Sequence, residues 1–251
     1  MTTRDPMREL GPGFRVRWVA GVPVLQAEVL EVDGVRHAFS TRRYPQADDA
    51  DILRALGFRP EAVVEAEQVH GGVVAQVDGV FPGRVPGADG LWTQRAGVVL
   101  RVRSADCLAV LLADPRGGRV GAVHAGWRGL ARGILARAVR MLKEGGSRPE
   151  DLRCAVGPSV GPCCYEVDAP VRAALRDWPR AFREGRLGRW RLDLRAVGAA
   201  QLRSEGVRPE HLAVCAACTA CEPGWFYSYR REGRTGHLWA LVSREGGPWG
   251  R

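Results

Sequence analysis

Lysine is nearly missing from this chain: Lys143 is the only one among 37 basic residues, and the arginines that make up the rest are scattered along the sequence. The formal charge of +9 would suit a phosphate-bearing ligand. Dispersed arginine without a basic run or tail nevertheless argues against a nucleic-acid partner, whose binders concentrate charge on one face. No window reaches the ~20 apolar residues of a membrane-spanning helix, and "MTTRDPMRELGPGF" carries charges and prolines where a secretion signal needs an apolar core. A soluble, cytoplasmic protein with no membrane partner is therefore expected. Internal repeats, low-complexity tracts and linkers are also missing, so the expectation is a single domain over 1–251, with residues 1–22 as an N-terminal extension or edge strand. Histidine is scarce at five, and the seven cysteines are an odd number. In a reducing compartment such cysteines are thiols or metal ligands rather than a disulfide framework.

Short strands are expected around Val16 to Val19, Val24 to Leu30 and Val35 to Phe39, broken by Gly-Val-Pro and Asp-Gly turns. A helical pattern covers Asp51 to Leu56, and another helix is expected from Pro60, with Gly71-Gly72 stopping it and His70 at its junction with a strand. Two apolar runs between Val98 and Asp114 are separated by "RSADC". If Asp114 to Gly117 form a four-residue hairpin loop, Cys107 falls opposite His124, at the ~4.5–5.5 Å Cβ spacing of facing residues. After His124 the period becomes helical, with Trp127, Leu130, Ile134, Ala138, Met141 and Leu142 on one stripe; Trp127 reads more readily as core than as substrate wall. A strand, a Gly/Pro-rich loop from Gly157 to Pro162 and a helix capped by Asp168 follow. The last third reads as a helix at Leu194 to Ser204, a strand at Leu212 to Cys215, a long loop and the closing strand "HLWALV". This irregular alternation indicates an α/β fold, bordering on α+β, with a mixed β-sheet layered with helices.

His70, Cys107 and His124 have the chemistry of a one-cysteine, two-histidine metal site with a fourth position open, the arrangement of catalytic zinc. A nucleophilic pair with Cys107 attacking and His124 as base competes with it. Cys163 and Cys164, being adjacent, read as packing residues. Cys215, Cys218 and Cys221 have C-x2-C-x2-C spacing but no fourth cysteine follows, so structural thiols are expected there, with a second metal site as the lesser reading.

The strings "QVHG" (68–71), "ADCLAVLLADP" (105–115), "HAGWRG" (124–129), "GPSVGPCCYEV" (157–167) and "FYSYRREGRTGHLWAL" (226–241) together resemble the YfiH family. Its members are described variously as multicopper polyphenol oxidoreductase (laccase domain), purine nucleoside phosphorylase and peptidoglycan editing factor. The resemblance implies a YfiH-like α/β fold and a zinc site, copper being the alternative, on His70, Cys107 and His124. It also implies a cleft built by Ser40, Arg42, Asp106, Arg128, the Gly157 to Tyr165 loop and the Ser228 to Arg231 segment with Arg230 and Arg231. Cys107, His124, Asp106 and Arg128 are the expected catalytic group; Ser40, Arg42, Tyr165, Arg230 and Arg231 are the expected substrate contacts. Two departures stand out: Arg42 runs into "RYPQADDA" where the family has paired glycines, and Gly198 stands where an asparagine is common.

Five histidines cannot furnish the roughly eight imidazoles of a trinuclear copper cluster plus a blue-copper site, which argues against oxidase chemistry. Purine nucleoside phosphorolysis suits the arginines, as phosphate needs guanidinium or backbone donors, and the resemblance implies adenosine deamination alongside it. The expected partners are thus a purine nucleoside and phosphate. A cell-wall-precursor editing amidase and a non-enzymatic zinc-binding interaction protein are the other readings. Oligomeric state is not legible.

Overall fold

The computed structural model describes residues 10–44, 49–80 and 83–245. Strands β1 (Phe14–Val19) and β2 (Val22–Ala27) form a hairpin turned through Ala20 and Gly21, both at positive φ. There follow β3 (Val35–Ser40), α1 (Asp49–Ala55), β4 (Val63–Ala66), β5 (Val74–Gln76), β6 (Arg84–Val85), β7 (Gly90–Thr93), β8 (Val99–Ser104), β9 (Leu108–Asp114) and β10 (Arg119–Ala125). The second half runs α2 (Trp127–Ala131), α3 (Ile134–Glu144), β11 (Arg153–Val156), β12 (Glu166–Val167), α4 (Ala169–Ala174), β13 (Phe182–Glu184) and β14 (Trp190–Leu192). It closes with α5 (Leu194–Ser204), β15 (Leu212–Val214), α6 (Tyr229–Glu232) and β16 (Leu238–Arg244).

The strands divide between two large mixed sheets, ordered β1-β2-β3-β16-β8-β4-β6 and β15-β11-β9-β10-β7-β5, with β12-β14-β13 as a small third. Alternation along β9 shows how the layers are held. Ala109, Leu111 and Ala113 face the core shared with Leu25, Leu100, Val102 and Val242 of the seven-stranded sheet. Leu108, Val110 and Leu112 face the opposite way, onto Leu135, Val139 and Leu142 of α3 and Val197 and Leu202 of α5. A strand covered on both faces must be apolar at every position, which is why "LAVLLAD" reads as a run and not an alternation. Beyond the seven-stranded sheet, Ile52 and Leu53 of α1 pack on Val24, Ala38, Val99 and Leu241. The α/β architecture is the one expected, although the strands form two large sheets and a small third where one mixed sheet was expected; β1 lies at an edge of the seven-stranded sheet.

Several local expectations need correction. The helix expected from Pro60 is one 3-10 turn, Pro60–Ala62, followed at once by β4; the β-branched Val63 and Val64 favour strand. His70 therefore lies in a β4–β5 loop. The stripe after His124 is two helices, because Gly133 at φ +68 ends α2 in the left-handed region. The hairpin loop is Pro115 to Gly118, since Asp114 Oδ1 accepts from the N–H of Arg116 (3.0 Å) and Gly117 (2.7 Å) and Gly118 takes φ +66. His124 consequently pairs with Ala109, not Cys107. The register is off by two, and a slip of two keeps both residues on the same face. Gly198 is a packing position, because a Cβ there would lie 2.7 Å from Leu108 Cδ1.

Candidate metal centre

Three residues at the margins of the six-stranded sheet converge: His124 near the end of β10, Cys107 just before β9 and His70 from the β4–β5 loop. Their ligand atoms all lie within 4.8 Å of one another, and the two imidazole rings meet edge-to-face at 4.9 Å between centroids. Nothing in the spacing of His70 revealed this approach. Its cause is Asp89, fully buried immediately before β7, which the sequence reading missed. The His124 Nδ1–H donates to Asp89 Oδ1 (2.9 Å), and the backbone N–H groups of Val69 (3.1 Å), His70 (2.9 Å) and Gly71 (2.6 Å) donate to the same carboxylate. One carboxylate thus fixes the His124 tautomer, leaving Nε2 for a ligand, and folds the His70 loop against it. A buried aspartate between turn residues in "GADGLW" was the available signal.

Backbone strain concentrates here. Among the described residues, the non-glycine positions at positive φ are Gln68 (66°), His70 (58°) and Asp106 (96°), besides Ala20 in its hairpin. Each costs about 1–3 kcal/mol and persists only where the surroundings dictate it. Gln68 is held by its side chain, donating to the Arg103 carbonyl (2.6 Å) and accepting from the Arg103 N–H (2.8 Å). Asp106 is held by Thr219 Oγ1 (2.5 Å) and the Arg230 N–H (2.6 Å), each donating to one carboxylate oxygen.

Burial opposes ionisation of the Cys107 thiol, but hydrogen bonds from His124 and His70 outweigh it and bring the group down to about 6. Burial likewise opposes protonation of His124, and Asp89 and Cys107 outweigh it, raising the imidazole to about 9. A soft thiolate beside two imidazoles is a donor set for a borderline metal such as zinc or copper. The backbone is cut to match: a Cβ at Gly126 would sit 2.9 Å from Cys107 Sγ and 3.3 Å from His70 Cδ2.

The three candidate ligands open into a cleft of about 720 Å³ lined also by Glu67, Arg103, Asp106, Trp127, Arg128, Tyr165, Tyr229, Arg230, Arg234 and His237. Arg128 stacks on Trp127 (4.3 Å) and Arg230 on Tyr165 (5.1 Å). Trp127 belongs to both cleft and core, since it also packs against the helical cluster. Burial pushes the Tyr165 phenol up to about 12, so it stays protonated.

Other expected contacts lie elsewhere. Ser40 is buried and its Oγ accepts from the Trp239 N–H (2.7 Å), joining β3 to β16. Arg42 is paired with Glu232 (2.6 Å) and donates to the Pro223 carbonyl (2.9 Å). Arg231 donates to the carbonyls of Thr219 (2.6 Å), Ala220 (3.0 Å) and Phe226 (2.7 Å), clamping the loop before α6. Guanidiniums used this way are not offered to a ligand. Nothing in the local sequence of Arg103 and Arg234, both in the cleft, distinguishes them from the other arginines of the chain.

Residues 42–245 match the family model described as multi-copper polyphenol oxidoreductase laccase. The chain is 40% identical over 204 residues to the purine nucleoside phosphorylase YlmD of Geobacillus stearothermophilus, covering 75% of this chain and 74% of that one. It is 36% identical over 259 residues to a purine nucleoside phosphorylase of Deinococcus radiodurans, covering 90% and 96%. Among solved structures, the Bacillus licheniformis hypothetical protein YfiH superposes with a TM-score of 0.84 at 28% identity, over 94% of this chain and all of that one.

Proposed function

Because the chain belongs to the YfiH family, whose model carries the polyphenol oxidoreductase laccase description, we propose that it is a zinc-dependent purine nucleoside phosphorylase acting on adenosine- and inosine-type nucleosides in the cytoplasm. The observation that carries this reading is the cleft itself, with three residues able to hold a metal ion on its floor and four arginines around it. His70, Cys107 and His124 would hold the zinc. When bound, that ion would supply Lewis-acid chemistry at the floor of the cleft.

In phosphorolysis a phosphate oxygen forms the bond to C1′ of the sugar while the C1′–N9 bond breaks. The electron pair leaves with the purine, and a proton reaches the departing base. Arg103, Arg128, Arg230 and Arg234 line the cleft without an ion pair to any described residue, and guanidiniums of that kind bind phosphate in bidentate fashion. The Tyr165 phenol, held protonated, can hydrogen-bond the leaving base, and Trp127 and Tyr229 offer flat apolar surface to a purine. Asp106, with both oxygens engaged, is a positioning residue that sets Arg230 and the Thr219 loop. Ser40, Arg42 and Arg231 support the walls from outside.

The same cleft also suits hydrolytic deamination, in which adenosine and water give inosine and ammonia; Glu67, the other carboxylate lining the cleft, would carry a proton from the water to the departing ammonia. One experiment tests both: zinc-loaded protein with adenosine and phosphate, following adenine, ribose 1-phosphate and inosine, beside Cys107→Ala. Adenine and ribose 1-phosphate should form in equal amounts, and the variant should be slower by at least about tenfold. Neither product set, or equal rates in both proteins, overturns the reading.

A further inference from the structure

The C-x2-C-x2-C run does not stay together in space. Cys215 is wholly buried in the inter-sheet core, where burial pushes its thiol up to about 11. Cys218 and Cys221 instead meet Cys163 and Cys164, the pair expected to pack apart. All four sulfurs lie within 4.8 Å of one another, with Cys221 Sγ at 3.5 Å from Cys163 Sγ and 3.4 Å from Cys164 Sγ. The reason adjacent cysteines can share a centre is their turn: the N–H groups of Cys164 and Tyr165 both donate to the Gly161 carbonyl at 3.0 Å. In a tight helical turn successive side chains diverge by only about 100°, not the 180° of a strand.

The geometry points to a second metal centre, a structural zinc site in which Cys163, Cys164, Cys218 and Cys221 bind one Zn²⁺ tetrahedrally. With zinc–sulfur bonds of about 2.3 Å, a tetrahedral site places its sulfurs roughly 3.8 Å apart, close to the spacing found here. An iron–sulfur cluster spreads its thiolates over several irons and needs more room. Four thiolates leave no open position, so this centre is closed and structural, unlike the one in the cleft. On loading, the thiols lose their protons to solvent, and no oxidant or reductant is required.

The surroundings fit a bound anionic complex. The Gly161 N–H donates to Cys218 Sγ (3.1 Å). Arg195 lies close by, since a Cβ at Gly161 would be 3.2 Å from its Nη2 and 3.1 Å from Cys163 Sγ. Arg191 donates to the Cys163 carbonyl (3.0 Å). Donors and guanidiniums placed beside the sulfurs in this way offset the net negative charge of a four-thiolate zinc site. What the site joins also explains its use. The 157–165 loop carries Tyr165, and the 215–228 loop carries Thr219, which holds Asp106. Backbone pairing between these loops is limited to the isolated Ser159–Cys218 bridge and its Thr219 N–H to Ser159 carbonyl bond (3.0 Å). A metal there staples one wall of the cleft.

This proposal does not depend on the reaction catalysed, and it is tested with the cleft ligand removed. Cys107→Ala and a Cys107→Ala protein also carrying Cys218→Ser and Cys221→Ser are loaded with zinc under reducing conditions and weighed by native mass spectrometry. One zinc is expected on the first and none on the second, with X-ray absorption of the first showing four sulfurs at about 2.3 Å. Circular dichroism checks that both fold, and Cys164→Ser alone, expected to bind zinc at least tenfold more weakly, serves if the multiple variant does not. No zinc on folded Cys107→Ala, nitrogen or oxygen ligands in its absorption spectrum, or a disulfide among these cysteines in metal-loaded protein would each overturn the proposal.

Discussion

Replacing Gly126 by alanine tests whether the cleft residues form a metal centre or only look like one. Gly126 has φ −77° and ψ 176°, a conformation open to any residue, so the substitution brings no backbone strain. Its sole effect is a methyl group 2.9 Å from Cys107 Sγ and 3.3 Å from His70 Cδ2, where ordinary contact begins at 3.4 Å. The sulfur must retreat by at least about 0.5 Å, more than twice the ±0.2 Å tolerance of metal–ligand distances. His124 cannot follow, because Asp89 and the β10 ladder hold it. Zinc affinity at this centre should fall by about 10–100-fold or more, read by competition with a chromophoric chelator. The metal-free variant should melt within a few degrees of the metal-free parent. Gly79→Ala, where the methyl meets nothing within 4 Å, is the control and should change neither quantity. Undiminished zinc affinity in Gly126→Ala would refute the reasoning.

Asp89→Asn keeps the shape but cannot accept from His124 and three backbone N–H groups together, so zinc affinity should drop by about 10–100-fold, measurable by the same competition. Arg128→Ala should raise the KM for phosphate while Arg42→Ala, its guanidinium bound to Glu232 and Pro223, should leave it unchanged; steady-state kinetics with phosphate varied separates them. His37 is buried, accepts from the Ala27 N–H through Nε2 (2.9 Å) and is pushed down from 6.5 to about 4 by burial. The unfolded chain takes up the proton first as pH falls, so stability present above about 6.5 is lost between there and about 4, by about 3 kcal/mol. Urea denaturation at pH 7.5 and 4.5 should show the loss shrinking in His37→Gln, whose amide can still accept the Ala27 N–H.

The strands were legible wherever burial imposes a simple pattern, as in β3, β8, β9 and β16, and α5 was legible over Leu194 to Ser204, although its cap at Asp193 emerges only in the structure. Which strands share a sheet was not, because β8 and β9 are both apolar and only their partners send them to different layers. The Cys107–His124 relation survived a wrong register because the error was even. Asp89 escaped because its role is to receive backbone N–H groups, and the one mark this leaves on the sequence is an aspartate between turn residues in "GADGLW". The arginines divided wrongly for a similar reason: whether a guanidinium faces a cleft or a carbonyl is decided by loops such as 219–231, whose course follows from tertiary contacts. The short α6 lay unseen in that loop, where Ser228 caps it by accepting from the Arg231 N–H.

The most direct measurement strips the protein of metal with a chelator, restores zinc in steps, and follows ribose 1-phosphate formed from adenosine and phosphate in the parent and in His124→Ala. The expected result is loss of phosphorolysis on stripping, recovery with zinc in the parent alone, and no cleavage when phosphate is omitted. Phosphorolysis that survives stripping, or that recovers equally in His124→Ala, would contradict the assignment of this centre.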